Sequence, residues 1–296
     1  MRAFFWFVAA IVLSLLIATA LAYPAYVLIH PLQGVWRFDK IASRLFDVLL
    51  LGLIVLVLKR LQLRGAAAWG WQVPAARGRR QFTFGVILGI ASMLPVSLAM
   101  VLLGVRPLDP QLNLPMLGNA LIAGVGSGLV VGLVEETLFR GLIQGAVIQH
   151  SGRVMAGVVS VSALFAALHF LASVHIPHEA VTPASGLVLL TGTLAELSHP
   201  LNIVDSFLAL FGVGLITGIA RQWTGNILLA AGLHAGWVFV MRTTIGITLL
   251  PENSPHGWLL SRHDGYTGWL VVFFVVGMLM IGYAAKHSIR TLLRAT

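Results

Sequence analysis

With 296 residues, 58% of them hydrophobic and only 10% charged, the chain is far more apolar than a soluble domain, in which about a quarter of the residues are charged. One globule could not enclose so much apolar surface, so the composition excludes an ordinary soluble enzyme and predicts a multi-pass membrane protein. The absence of Cys excludes disulfides, thiol nucleophiles and thiolate metal sites. The net charge of +9 does not imply a nucleic-acid partner, because most of the Lys and Arg fall in short loops between apolar runs.

Eight apolar segments follow in chain order, at about 3–23, 44–63, 82–104, 116–138, 154–173, 204–220, 225–248 and 267–285. Each is near the ~20 residues with which a helix spans a bilayer. Helices satisfy every backbone group within the segment, so the fold class is all-α, with about eight transmembrane helices in one integral membrane domain over 1–296. The first segment is longer than the ~7–15 apolar residues of a signal-peptide core, so it reads as a retained helix rather than a cleaved leader. Between the fifth and sixth segments the stretch "ASGLVLLTGTLAEL" is apolar but too short to span, which suits a re-entrant or interfacial helix.

Loop charges predict the orientation. Lys59, Arg60, Arg64, Arg77, Arg79 and Arg80 share one loop, and Lys286, Arg290 and Arg294 lie in the tail. With these, Arg2, Arg153 and Arg221 on one side, that side holds twelve positive residues. The other holds five: Arg37, Lys40, Arg44, Arg106 and Arg262. The bias places both termini in the cytoplasm of a cell-membrane protein.

Ionisable groups at membrane depth cost roughly 2.5–3.5 kcal/mol each on insertion scales and mark function by default. The fourth segment carries Glu135, Glu136 and Arg140 in "VGLVEETLFRG", the fifth His169, the seventh His234 and Arg242. On a helix, Glu136 and Arg140 are four apart and can pair, whereas Glu135 points about 100° away without a local partner. An unneutralised carboxylate of this kind suits general-base work. Glu135, His169 and His234 come from three helices and form a plausible set for activating water or for holding a divalent metal such as zinc; metal or no metal stays open at this point. Phe165, four residues before His169, shares its face and reads as packing beside the ring. In the loop beyond, His175, His178 and Glu179 read as solvated side chains, as do Glu196 and His199. Gly124 and Gly128 give small residues at four-residue spacing, a pattern that allows close helix packing.

These residues also carry a resemblance. "EETLFRG" resembles the E-E-x-x-x-R motif of the CPBP family (CAAX prenyl proteases and bacteriocin-processing, or Abi, intramembrane proteases). "FAALH" is similar to its F-x-x-x-H motif, and "TGNILLAAGLHAGW" to its third, a His on a late helix. The resemblance covers about 118–245. It implies a CPBP-like helical bundle and an endopeptidase acting on a membrane-associated, in some members prenylated, peptide. It further implies that Glu135 and His169 activate water, that His234 stabilises the oxyanion, and that Glu136 and Arg140 support them. Members are often named metalloproteases, and a metal-free glutamate mechanism has also been argued. One departure stands out. The family's third motif often reads H-x-x-x-N or H-x-x-x-D, but the fourth residue after His234 is Val238. Loss of one oxyanion donor can cost around 10²–10³ in rate. The alternatives are a non-catalytic CPBP-like binding protein, for which Val238 speaks, and a proton-coupled transporter, against which the lack of an internal repeat speaks.

Counted from the segment edges above, Glu135 lies near the inner side and His169 nearer the outer. On straight helices the two could not meet. Either the fifth helix begins in water before it enters the bilayer, or the edges are wrong by a turn or two.

Overall fold

The computed structural model describes residues 2–33, 37–63, 65–171 and 175–286; Arg64, Arg290 and Arg294, used in the charge count, lie outside them. All eight apolar segments are helical, and no strand occurs among the described residues. We label the principal helices α1 (Arg2–Gln33), α2 (Phe38–Arg60), α3 (Ala75–Leu102), α4 (Leu114–Ser151), α5 (Val154–Leu168), α6 (Ser185–Ala195), α7 (Val204–Thr224), α8 (Leu228–Ile247) and α9 (Trp269–Ala284). Six are long and apolar enough to cross a membrane: α1, α2, α3, α4, α7 and α8. The fifth and eighth expected segments are present as the shorter α5 and α9. The short apolar stretch of the long loop is α6, whose Gly186 backs onto the Thr19 carbonyl halfway along α1.

The main difference from expectation is in α4. The apolar run ends near 138, but the helix continues for 38 residues to Ser151. It does so through one π-helical stretch, Thr137–Ile143, immediately after the two glutamates. Such wide turns are uncommon and concentrate at functional sites. Gly152 then ends the helix in the left-handed conformation (φ 67°), a position that favours glycine, and α5 starts two residues later.

This turn settles the depth conflict. Glu135 and His169 are each 17 residues from Gly152, and Phe139 and Phe165 each 13. An antiparallel hairpin therefore brings Phe139 and Phe165 to the same height, with Glu135 and His169 each four residues beyond them. The Phe139 and Phe165 rings meet edge to face at 5.2 Å between centroids. The edges were wrong because Arg140, Gln144, Gln149 and His150 make the second half of α4 look like a loop.

Helix α8 packs between α3 and α4. The seams are glycine-lined. A Cβ on Gly85 would stand 2.6 Å from the Leu229 carbonyl oxygen, and one on Gly236 2.5 Å from that of Val86. Across the other seam, Cβ atoms on Gly128 and Gly132 would stand 2.5 and 2.7 Å from the carbonyl oxygens of Ala235 and Ala231. Backbone meets backbone on both sides of α8, the packing mode that small residues four apart permit in membranes. The start of α8 is fixed by Asn226, whose side chain accepts from the Leu228 amide and donates to Gln81 of α3. At the far end, the Tyr266 hydroxyl pairs with Ser97 at 2.6 Å, and burial pushes it up to about 12, so it stays a neutral hydrogen-bonding group.

Candidate active site

The hairpin α4–α5 and the glycine-seated α8 converge on one polar cluster. Glu136 and Arg140 are fully buried, and Arg140 Nε lies 3.3 Å from Glu136 Oε2. The other oxygen of Glu136, Oε1, accepts from His234 Nδ1 at 2.9 Å. Glu136 therefore divides its carboxylate between its own helix and α8. This link spans 98 residues of sequence and has no local signal. From sequence, His234 was grouped with Glu135; its direct partner is Glu136.

Glu135 stands on the open side. Its side chain is 27% exposed against 7% for His234, and its Oε2 lies 4.0 Å from His234 Nε2. That oxygen has no hydrogen-bond partner. The two adjacent carboxylates thus have different surroundings: one is paired and fully enclosed, the other belongs to a partly exposed side chain whose buried Oε2 has no hydrogen-bond partner.

His169 is not inside its helix but is the residue that ends α5. Its Nδ1 lies 2.8 Å from the Phe165 carbonyl oxygen. A carbonyl only accepts, so Nδ1 is the protonated nitrogen, and Nε2 of the neutral ring presents a lone pair. The same logic applies to His234, whose Nδ1 donates to the Glu136 carboxylate.

Phe165 does more than pack beside one ring. It lies 4.5 Å from the His169 ring and 5.9 Å from the His234 ring, centroid to centroid. The Arg140 guanidinium sits over it at 4.5 Å. All three guanidinium nitrogens are buried without an aligned acceptor, although Nε remains within ion-pair distance of Glu136. The aromatic face then supplies part of the stabilisation that hydrogen bonds do not. Replacing Phe165 by Leu keeps most of the buried volume but removes that face. The expected cost is about 1–2 kcal/mol of stability, read by thermal unfolding in micelles. The signal for this role was available in the sequence, as an aromatic residue one turn before a motif histidine.

Two further neighbours have no motif signal. The Trp69 carbonyl lies against Gly141, so the loop between α2 and α3 closes over the cluster. Gln144, fully buried, donates to the Gly218 carbonyl of α7 at 3.1 Å.

The other polar candidates are elsewhere. His175 lies 3.5 Å from Asp39, and His178 pairs with Tyr26 at 2.9 Å. Arg242 is exposed on α8. Asn226 is occupied just before α8, where it bonds Gln81 and the Leu228 amide, and Val238 is buried. Among the described residues, no three His, Asp or Glu side chains are gathered as a metal-ligand set.

Residues 117–240 match the model of a protein family described as Rce1-like, Type II CAAX prenyl endopeptidase Rce1-like. No curated protein and no solved structure matches the chain.

Proposed function

We propose that this chain, whose residues 117–240 match the Rce1-like family model, is a CPBP-type intramembrane endopeptidase. Its active site would consist of Glu135, His169 and His234. The observation that carries the reading is the division of labour between adjacent carboxylates: Glu136 is committed to His234 and Arg140, while Glu135 Oε2 stays unpartnered 4.0 Å from His234 Nε2. That oxygen, which makes no hydrogen bond, is a base placed at membrane depth, where water is scarce and each interaction is strong.

In this mechanism a water lies between Glu135 and the lone pair on His169 Nε2. Glu135 takes a proton from it, and the hydroxide oxygen attacks the peptide carbonyl carbon. The carbonyl oxygen becomes an oxyanion. In its doubly protonated form His234, held through Nδ1 by Glu136, would donate to it from Nε2. Glu135 then passes its proton to the amide nitrogen, the C–N bond breaks, and an acid and an amine leave. No step runs through a metal. Chelators such as EDTA and phenanthroline are therefore expected to leave turnover unchanged, measured on protein purified in micelles; inactivation restored by added zinc would overturn this part of the reading.

The depth of the site favours a substrate anchored in one leaflet. His234 lies beside the level of Val86 on α3, about six residues or ~9 Å below Arg80. Trp69 and Trp71, exposed just before α3, suit the headgroup level. A bond at this height belongs to a peptide tethered close to the membrane surface, such as a prenylated or otherwise lipidated chain end. With the arginine-rich loops inside, this is the cytoplasmic side of a cell membrane.

Val238 favours a second reading, a CPBP-like binding protein with little turnover. Under it, substrate peptides would crosslink to the wild-type protein without being cut. The transporter alternative has no observation in its favour.

A further inference from the structure

The outward face of α3 has a feature unrelated to catalysis. Its inner face is the glycine seam against α8. Its outer face begins with three exposed arginines, Arg77, Arg79 and Arg80, and changes within one turn to Thr83, Phe84 and Ile87. These six line a groove of about 790 Å³. Phe84 and Ile87 are 41% and 60% exposed, facing where lipid tails would be. No acidic side chain lines the groove, and none occurs in the chain between Asp47 and Asp109. Arg79 and Arg80 therefore have no acidic neighbour in sequence.

We infer that this groove is a binding site for one anionic phospholipid, its phosphate held by Arg79 and Arg80 with Arg77 beside them, and an acyl chain laid along Phe84 and Ile87. The argument is the juxtaposition. Arg80 and Ile87 are seven residues apart, about 10 Å along a helix. That matches the step from headgroup to upper acyl chain. Arginine forks suit phosphate oxygens. A free phosphate would use only the upper half of the groove, and a soluble acidic peptide would gain nothing from an apolar floor set in the hydrocarbon. Only a phospholipid uses both halves. The inference does not depend on the protease reading.

The test uses the full-length protein in neutral detergent, titrated with phosphatidylglycerol and followed by native mass spectrometry and thermal unfolding. Phosphatidylglycerol is expected to bind and to raise the unfolding midpoint, and phosphatidylcholine to do neither. Arg79→Gln with Arg80→Gln is expected to weaken phosphatidylglycerol binding about tenfold or more, since each basic residue near an anionic surface contributes about fivefold. Arg79→Lys with Arg80→Lys retains most of the binding, which separates lost charge from misfolding. Phe84→Ser with Ile87→Ser weakens lipid binding as well. Equal binding by the Gln variant, or equal binding of phosphatidylcholine, overturns the site. Stabilisation of wild type by inorganic phosphate or polyglutamate as strong as that by phosphatidylglycerol reassigns the groove to a free anion or an acidic peptide and overturns the lipid.

Discussion

A Glu135→Gln variant is expected to fold, reach the membrane and lose cleavage by about 10²–10⁴, the usual contribution of a positioned general base. Glutamine keeps the size and polarity of the side chain but cannot take a proton. The change should cost little stability, because Glu135 is partly exposed and its Oε2 has no partner to lose. Glu136→Gln is expected to behave in the opposite way. It removes one member of a buried ion pair and a charged acceptor of His234, which typically costs about 3–5 kcal/mol. Two neighbouring residues, changed identically, would thus separate chemistry from structure. The measurement is comparative proteomics of membrane peptides from cells carrying each variant, with thermal unfolding of the purified proteins. If the peptides released with Glu135→Gln equal those of the wild type, the proposed mechanism fails.

The second large effect concerns the seams of α8. Alanine normally stabilises a helix interior relative to glycine, by up to about 1 kcal/mol. At Gly236 the sign is expected to reverse. Its added carbon would stand 2.5 Å from the Val86 oxygen and 2.9 Å from both the Gly89 Cα and the Ile90 amide nitrogen, all backbone atoms that cannot turn aside. Overpacking of this kind costs typically 1–3 kcal/mol. Gly232 meets the Phe82 carbonyl and Gly85 in the same way. The double change Gly232→Ala with Gly236→Ala should therefore leave little folded protein. Where it does fold, it should push His234 away from Glu136. Gly118 and Gly126 face open space, and alanine there should be neutral or mildly stabilising. Thermal unfolding of the four variants checks the contrast; a Gly236→Ala protein as stable as Gly126→Ala would show that the seam is not tight.

Much of this architecture was legible in the sequence, since membrane helices advertise themselves by long apolar runs. The Glu136–Arg140 pair was legible too, because four-residue spacing is a local property of a helix. The extent of α4 was not: polarity within 139–151 imitates a loop, although Arg140 and Gln144 are polar because they serve the cluster and α7, while Gln149 and His150 are exposed near the helix end. The partnership of Glu136 with His234 was not legible either, as it depends on how α8 is seated. That seating was half visible. Gly124 and Gly128 hinted at one seam, but Gly85, Gly89, Gly232 and Gly236 attract notice only when the two helices are seen together. The roles of the site residues rest on their arrangement and on the family match, and the substitutions above decide them.

The equal arms about Gly152 have a consequence for the surrounding lipid. Glu135 and His169 are registered against each other by counting from a shared turn, not by where each helix meets the membrane surface. The hairpin works as a caliper whose jaws are set by its hinge. A thinner or thicker bilayer can tilt or shift it, and so change which substrate bond is offered, but cannot slide one jaw past the other. A single-residue deletion in one arm would move its jaw by about 1.5 Å and rotate it by about 100°, so length changes in 137–151 and 154–168 are tolerable only in matched pairs.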